Sequence, residues 1–102
     1  MLWYGVRTIV ESSEPGTYEE RITIWLADSF EHAIEQAEED AIEYTEAVGG
    51  GYVGMAQAYL IGDGAPGNGD EVFSLMRDSD LPPQEYVTRF FDTGDERQGG
   101  AP

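Results

Sequence analysis

Residues 28–48 read DSFEHAIEQAEEDAIEYTEAV, and the reading of this stretch decides how the rest of the chain must pack. Phe30, Ala33, Ile34, Ala37, Ala41, Tyr44 and Val48 recur at spacings of three and four, which is the period of one face of an α-helix. Asp28, followed three residues later by Glu31, is the reciprocal capping pair that opens a helix. Gly49-Gly50-Gly51 closes it, because glycine takes the left-handed cap conformation without a Cβ penalty. At about 1.5 Å per residue the helix spans roughly 30 Å, enough to cross a sheet of four strands.

The period is 2 on either side of the helix. Residues 2–11 (LWYGVRTIVE) are rich in aromatic and β-branched types and predict a first strand, with Tyr4, Val6, Thr8 and Val10 on one face and Trp3, Arg7 and Ile9 on the other. Pro15-Gly16 marks a turn. Residues 18–27 (YEERITIWLA) predict a second strand, antiparallel to the first, with Ile22, Ile24 and Leu26 inward and Arg21, Thr23 and Trp25 facing away. Residues 52–61 predict a third strand, whose small residues Gly54, Ala56 and Ala58 let a helix approach closely. After the glycine-rich stretch 62–70, residues 71–78 (EVFSLMRD) predict a fourth strand. Leu81-Pro82-Pro83 opens a short helix carrying Tyr86, Val87, Phe90 and Phe91, which Asp92-Thr93-Gly94 stops.

The expected fold is α+β, in the order β-β-α-β-β-α: a four-stranded antiparallel sheet with one long helix on one face and a short C-terminal helix. Residues 1–94 form one domain, and residues 95–102, without apolar anchors, a disordered tail. A sheet covered on one side alternates apolar with polar residues, whereas the first two strands are apolar or aromatic on both faces. Trp3, Ile9 and Trp25 therefore need cover on the side away from the long helix. The C-terminal helix could supply it with Phe90 and Phe91, and so could a second subunit, which is the expectation of a homodimer.

Three segments, in this order, resemble a bacterial family of short acidic proteins known only as a domain of unknown function. They are Trp3-Tyr4-Gly5-Val6-Arg7, then Tyr18-Glu19-Glu20-Arg21-Ile22 running into an Ala/Glu helix, then Glu71-Val72-Phe73-Ser74. Together they extend over residues 3–91. The resemblance implies a shared fold and carries no activity and no catalytic residue.

The charge balance narrows the function classes. Five basic residues, all arginine, stand against 21 acids, for a formal net charge of −16 in 102 residues. Nucleic-acid binders neutralise phosphates with Lys and Arg, and anionic membrane surfaces demand the same, so neither partner is expected. Cysteine is absent, which excludes disulfides and cysteine metal sites. No run reaches the roughly 20 apolar residues of a membrane span. No signal peptide is visible, so a cytoplasmic location is expected.

The leading candidate site is the outer face of the helix. Glu31, Glu35, Glu39 and Glu43 form an i, i+4 ladder of like charges, flanked by Glu38, Asp40 and Glu46, with no Lys or Arg among them. Each like pair costs a few tenths of a kcal/mol, so the ladder suits either a basic protein partner or a merely solvated face. With Trp3 and Trp25 as aromatic anchors, the expected partner-binding residues are Glu35, Glu38, Glu39, Glu43, Glu46, Trp3 and Trp25. The alternative is a cation- or small-ligand-binding module using residues 62–71, where Asp63, Asn68, Asp70 and Glu71 offer oxygen ligands, although their spacing departs from the twelve-residue calcium loop. A small enzyme is the remaining alternative. The chain has one histidine, His32, beside Glu31, and no nucleophile motif, so the expectation is a binding domain with no cofactor, no resident metal and no catalysis.

Overall fold

The computed structural model describes residues 1–98; residues 99–102, the end of the expected tail, lie outside the described part. The elements are β1 (Leu2–Glu11), β2 (Tyr18–Ala27), α1 (Phe30–Val48), β3 (Gly51–Gly62) and the short helix α2 (Pro83–Tyr86), which continues into a wide π-helical turn over Val87–Phe91. The sheet is antiparallel, in the order β2-β1-β3.

The β1–β2 hairpin closes through Ser12 and Thr17, where the Ser12 N–H donates to the Thr17 carbonyl at 2.8 Å and Gly16 supplies the left-handed residue at φ +83°. This turn sets the register Glu11↔Tyr18 through Leu2↔Ala27. β3 returns along the other edge of β1, with register shifts between Thr8 and Val10 and between Trp3 and Tyr4 that accommodate its greater length.

The cap of α1 differs from the expected one. Ser29, not Asp28, is the N-cap, and its hydroxyl accepts from the His32 N–H at 3.1 Å. His32 reaches back in turn, its Nδ1 accepting from the N–H of Asp28, the residue before the cap, at 3.0 Å, a variant of the capping box shifted by one residue. The inward stripe is narrower than expected. Ala33, Ala37, Ala41 and Thr45 are buried, while Phe30 and Val48 stay exposed and Ile34 and Tyr44 are half-buried. An alanine spine lets the helix lie close over Ala56 and Ala58 of β3 and Val6 of β1, as the small residues of β3 foretold.

Two expectations are corrected. The sheet has three strands among the described residues, not four, because residues 71–78 join no ladder. The chain instead passes over the face of the sheet away from α1. A Cβ added at Gly5 would lie 1.6 Å from the Val72 carbonyl oxygen, so the missing side chain makes the saddle in which that backbone rests. Phe73 packs on Tyr59 with ring centroids 6.2 Å apart. Val72 and Phe73, adjacent in sequence, are both half-buried, which an edge strand with period 2 does not do.

The second correction is the facing of β2. Gly5 opposes Ile24 in the hairpin register, so Ile22, Ile24 and Leu26 lie on the face away from α1, each at least 40% exposed. Glu19, Arg21, Thr23 and Trp25 face the helix. Trp3 and Ile9 do lie on the far face as expected; Trp25 does not. The C-terminal helix does not cover that face either: α2 and the turn after it pack on each other and on no other helix or strand, with Phe91 79% exposed.

Candidate functional site: an acidic groove between α1 and β2

The inward face of β2 adds Glu19, Arg21 and Thr23 to the core-packed Trp25 and Ala27, so it meets α1 through a seam of hydrogen bonds as well as through apolar packing. The Tyr44 hydroxyl donates to Glu19 Oε1 at 2.6 Å. The Arg21 guanidinium stacks on the Tyr44 ring, 3.9 Å from its centroid, and pairs with Asp40 at 3.3 Å. The Trp25 indole N–H donates to Thr23 Oγ1 at 2.7 Å, which fixes the ring. The hydrogen bond to Glu19, then burial, raises the Tyr44 pKa above the ordinary tyrosine value.

At the Trp25 end the seam opens into a groove of about 250 Å³ lined by Trp25, Gln36, Glu39, Asp40 and Glu43. Asp40 is neutralised by Arg21, whereas Glu39 and Glu43 have no ion-pair partner among the described residues. Gln36 Oε1 is shut off from solvent and accepts no hydrogen bond. A buried acceptor left unpaired is costly, and its residue lines the groove together with Trp25, Glu39 and Glu43. A guanidinium or ammonium group entering the groove meets the carboxylates of Glu39 and Glu43 beside the Trp25 side chain.

The structure thus splits the expected site. Trp25, Glu39 and Glu43 meet in the groove. Glu38 turns to the opposite flank of α1, where its carboxylate accepts from the Tyr52 hydroxyl at 2.7 Å; burial and that bond together raise the Tyr52 pKa above the ordinary tyrosine range. Glu35 and Glu46 are exposed and do not line the groove, and Trp3 lies on the far side of the sheet. Gln36 and Asp40 were not among the expected residues, yet Gln36, Glu39, Asp40 and Glu43 fall at i, i+3, i+4 and i+7, so the same helical period that marks the apolar stripe also marks this polar row.

The glycine-rich stretch gathers Asp63, Asp70 and Glu71 around an open depression with Tyr59. Glu71 accepts from the Tyr59 hydroxyl at 2.9 Å and Asp70 from the Gly67 N–H at 2.7 Å. Among the described residues no three His, Asp or Glu side chains converge as metal ligands, and no helix is long and apolar enough to cross a membrane. No protein-family model matches the chain, and neither a curated protein nor a solved structure is detectably similar to it.

Proposed function

We propose that the protein is a non-enzymatic interaction domain that engages a basic protein partner, taking an arginine or lysine side chain into the groove between α1 and β2. The observation that carries this reading is the groove in which Glu39 and Glu43, without an ion-pair partner among the described residues, stand with Trp25. Glu35 and Glu46, exposed along the same helix, add long-range attraction that speeds encounter with a positive partner. Binding rather than catalysis suits the surroundings: the groove is open, and His32 is committed to the helix cap. Kinship with the short acidic bacterial proteins that these strands resemble is part of the same proposal.

The test is titration of a short arginine-rich peptide by calorimetry at low salt. Replacing both groove carboxylates, E39Q with E43Q, should weaken binding about tenfold, the sum of two solvent-facing charge contacts. The pair E31Q with E35Q removes the same charge from the same helix and should cost clearly less. Equal losses from the two pairs would reduce the groove to general electrostatics and overturn the reading.

A further inference from the structure

In the order β2-β1-β3 only β1 has a strand on each side, so β2 and β3 each carry a free edge. The two edges are not alike. β3 breaks its pairing with β1 between Thr8 and Val10, where Gly54 stands at φ +90°, so its edge is bent. β2 keeps an unbroken register from Tyr18 to Ala27, with no bulge, proline, glycine or lysine. Its second half, Ile22-Thr23-Ile24-Trp25-Leu26-Ala27, carries no charge and is rich in β-branched and aromatic types. The devices that blunt an edge against pairing are missing from this half.

The hairpin tells which groups point outward. Ser12 and Thr17 form a hydrogen-bonded pair. Bonded and non-bonded pairs alternate along an antiparallel ladder, so Thr23 and Trp25 direct their N–H and C=O groups to β1, while Ile22, Ile24 and Leu26 direct theirs away from it. Among the described residues no other backbone segment bonds to these outward groups. The side chains of Thr23 and Trp25 turn to α1, whose flank over β2 carries Glu39, Asp40 and Glu43 along the groove. A strand laid on this edge sends every second side chain toward that flank. Charge then selects the occupant. Glu39 and Glu43 are exposed and have no ion-pair partner among the described residues. A second copy pairing β2 antiparallel with β2 sets both α1 helices on one face of the joined sheet and brings these carboxylates toward each other. A segment with arginine or lysine at alternate positions neutralises them instead.

We infer that the outer edge of β2 takes an extended segment of the basic partner as an added strand, with arginine or lysine at every second position facing the groove. Main-chain bonds to Ile22, Ile24 and Leu26 hold the segment, and the α1 carboxylates select its sequence, as in other cases of strand addition. The inference rests on the groove reading for its charge selection and goes beyond it in fixing the conformation of the partner.

Amide hydrogen exchange read by nuclear magnetic resonance tests it, on the full chain at low salt with a short peptide alternating arginine and valine. The Ile22, Ile24 and Leu26 amides should exchange about tenfold more slowly with the peptide bound, while those of Thr23 and Trp25, already bonded to β1, change little. N-methylation of the peptide at its valines, the positions opposite Ile22, Ile24 and Leu26, removes main-chain donors at constant charge and should weaken binding about tenfold. Binding that leaves the three amides exchanging as before, or that is indifferent to N-methylation, would overturn the inference and leave the groove reading standing. Absence of any binding would remove both. Protection of the three amides without peptide, together with a mass of twice 11.2 kDa by light scattering, would put a second copy on the edge and overturn the inference as well.

Discussion

Gly5 and Ser29 each fix a feature that their neighbours cannot supply. A methyl group at Gly5 meets the Val72 carbonyl at 1.6 Å, and backbone cannot swing aside as a long side chain does. G5A should therefore cost about 1–3 kcal/mol by denaturant midpoint, in the range of overpacked interiors, and should speed proteolysis between residues 62 and 72 as the backbone at Val72 loses its seat. Ser29 is the cap that the helix uses, so S29A should cost about 1 kcal/mol and D28A clearly less. The reverse order would return the cap to Asp28. Asp28 and Ser29 are both good caps three residues ahead of a polar side chain. Only the backbone position, with Ser29 extended at φ −157°, distinguishes them, and that is not written in residue type.

The strands and the long helix were legible because each carries many residues that agree. Ten residues of alternation bound β1 and β2, and about five turns of period 3.6 bound α1. Residues 71–78 carry the right residue types for a strand, but strand identity needs a partner edge, and a seat over Gly5 is a tertiary fact. The far facing of Ile22, Ile24 and Leu26 was hidden for a related reason: the hairpin turn fixes register, and a shift of one residue exchanges the two faces. The groove was half legible, since the acidic row is visible in the sequence while its neighbour across the seam, Trp25, follows from that register. Hydrogen exchange should accordingly find residues 74–80 exchanging as freely as a loop while β1 and α1 are protected; protection of 71–78 comparable to β3 would restore the fourth strand. The tyrosine seam gives a second check. Tyr44 and Tyr52 keep their protons above the ordinary tyrosine pKa of 10.0 when folded. The folded state then holds protons the unfolded state has released, so stability is full below pH 10 and falls as pH rises beyond it. Y52F should flatten part of that fall, as followed by melting temperature against pH.

The molecule as a whole has two unlike sides: an acidic helical layer, and a sheet face with exposed Ile22, Ile24 and Leu26 over which the chain after β3 passes at Gly5. The like-charge pairs 31–35, 35–39 and 39–43 oppose helix formation, and screening them should return about 1 kcal/mol, so the chain should melt higher as sodium chloride is added. Binding at the groove moves the other way with salt, because attraction is screened too, so one titration series separates the helix's own repulsion from its attraction for a partner. The groove itself is read most directly by nuclear magnetic resonance, with free arginine amide titrated into the isotope-labelled protein at low salt. The Trp25 indole N–H and the Gln36 side-chain amide should shift together and saturate, with Trp3 unmoved. Shifts spread evenly along the exposed glutamates of α1, with Trp25 and Gln36 unchanged, would contradict a built site and leave only a charged surface.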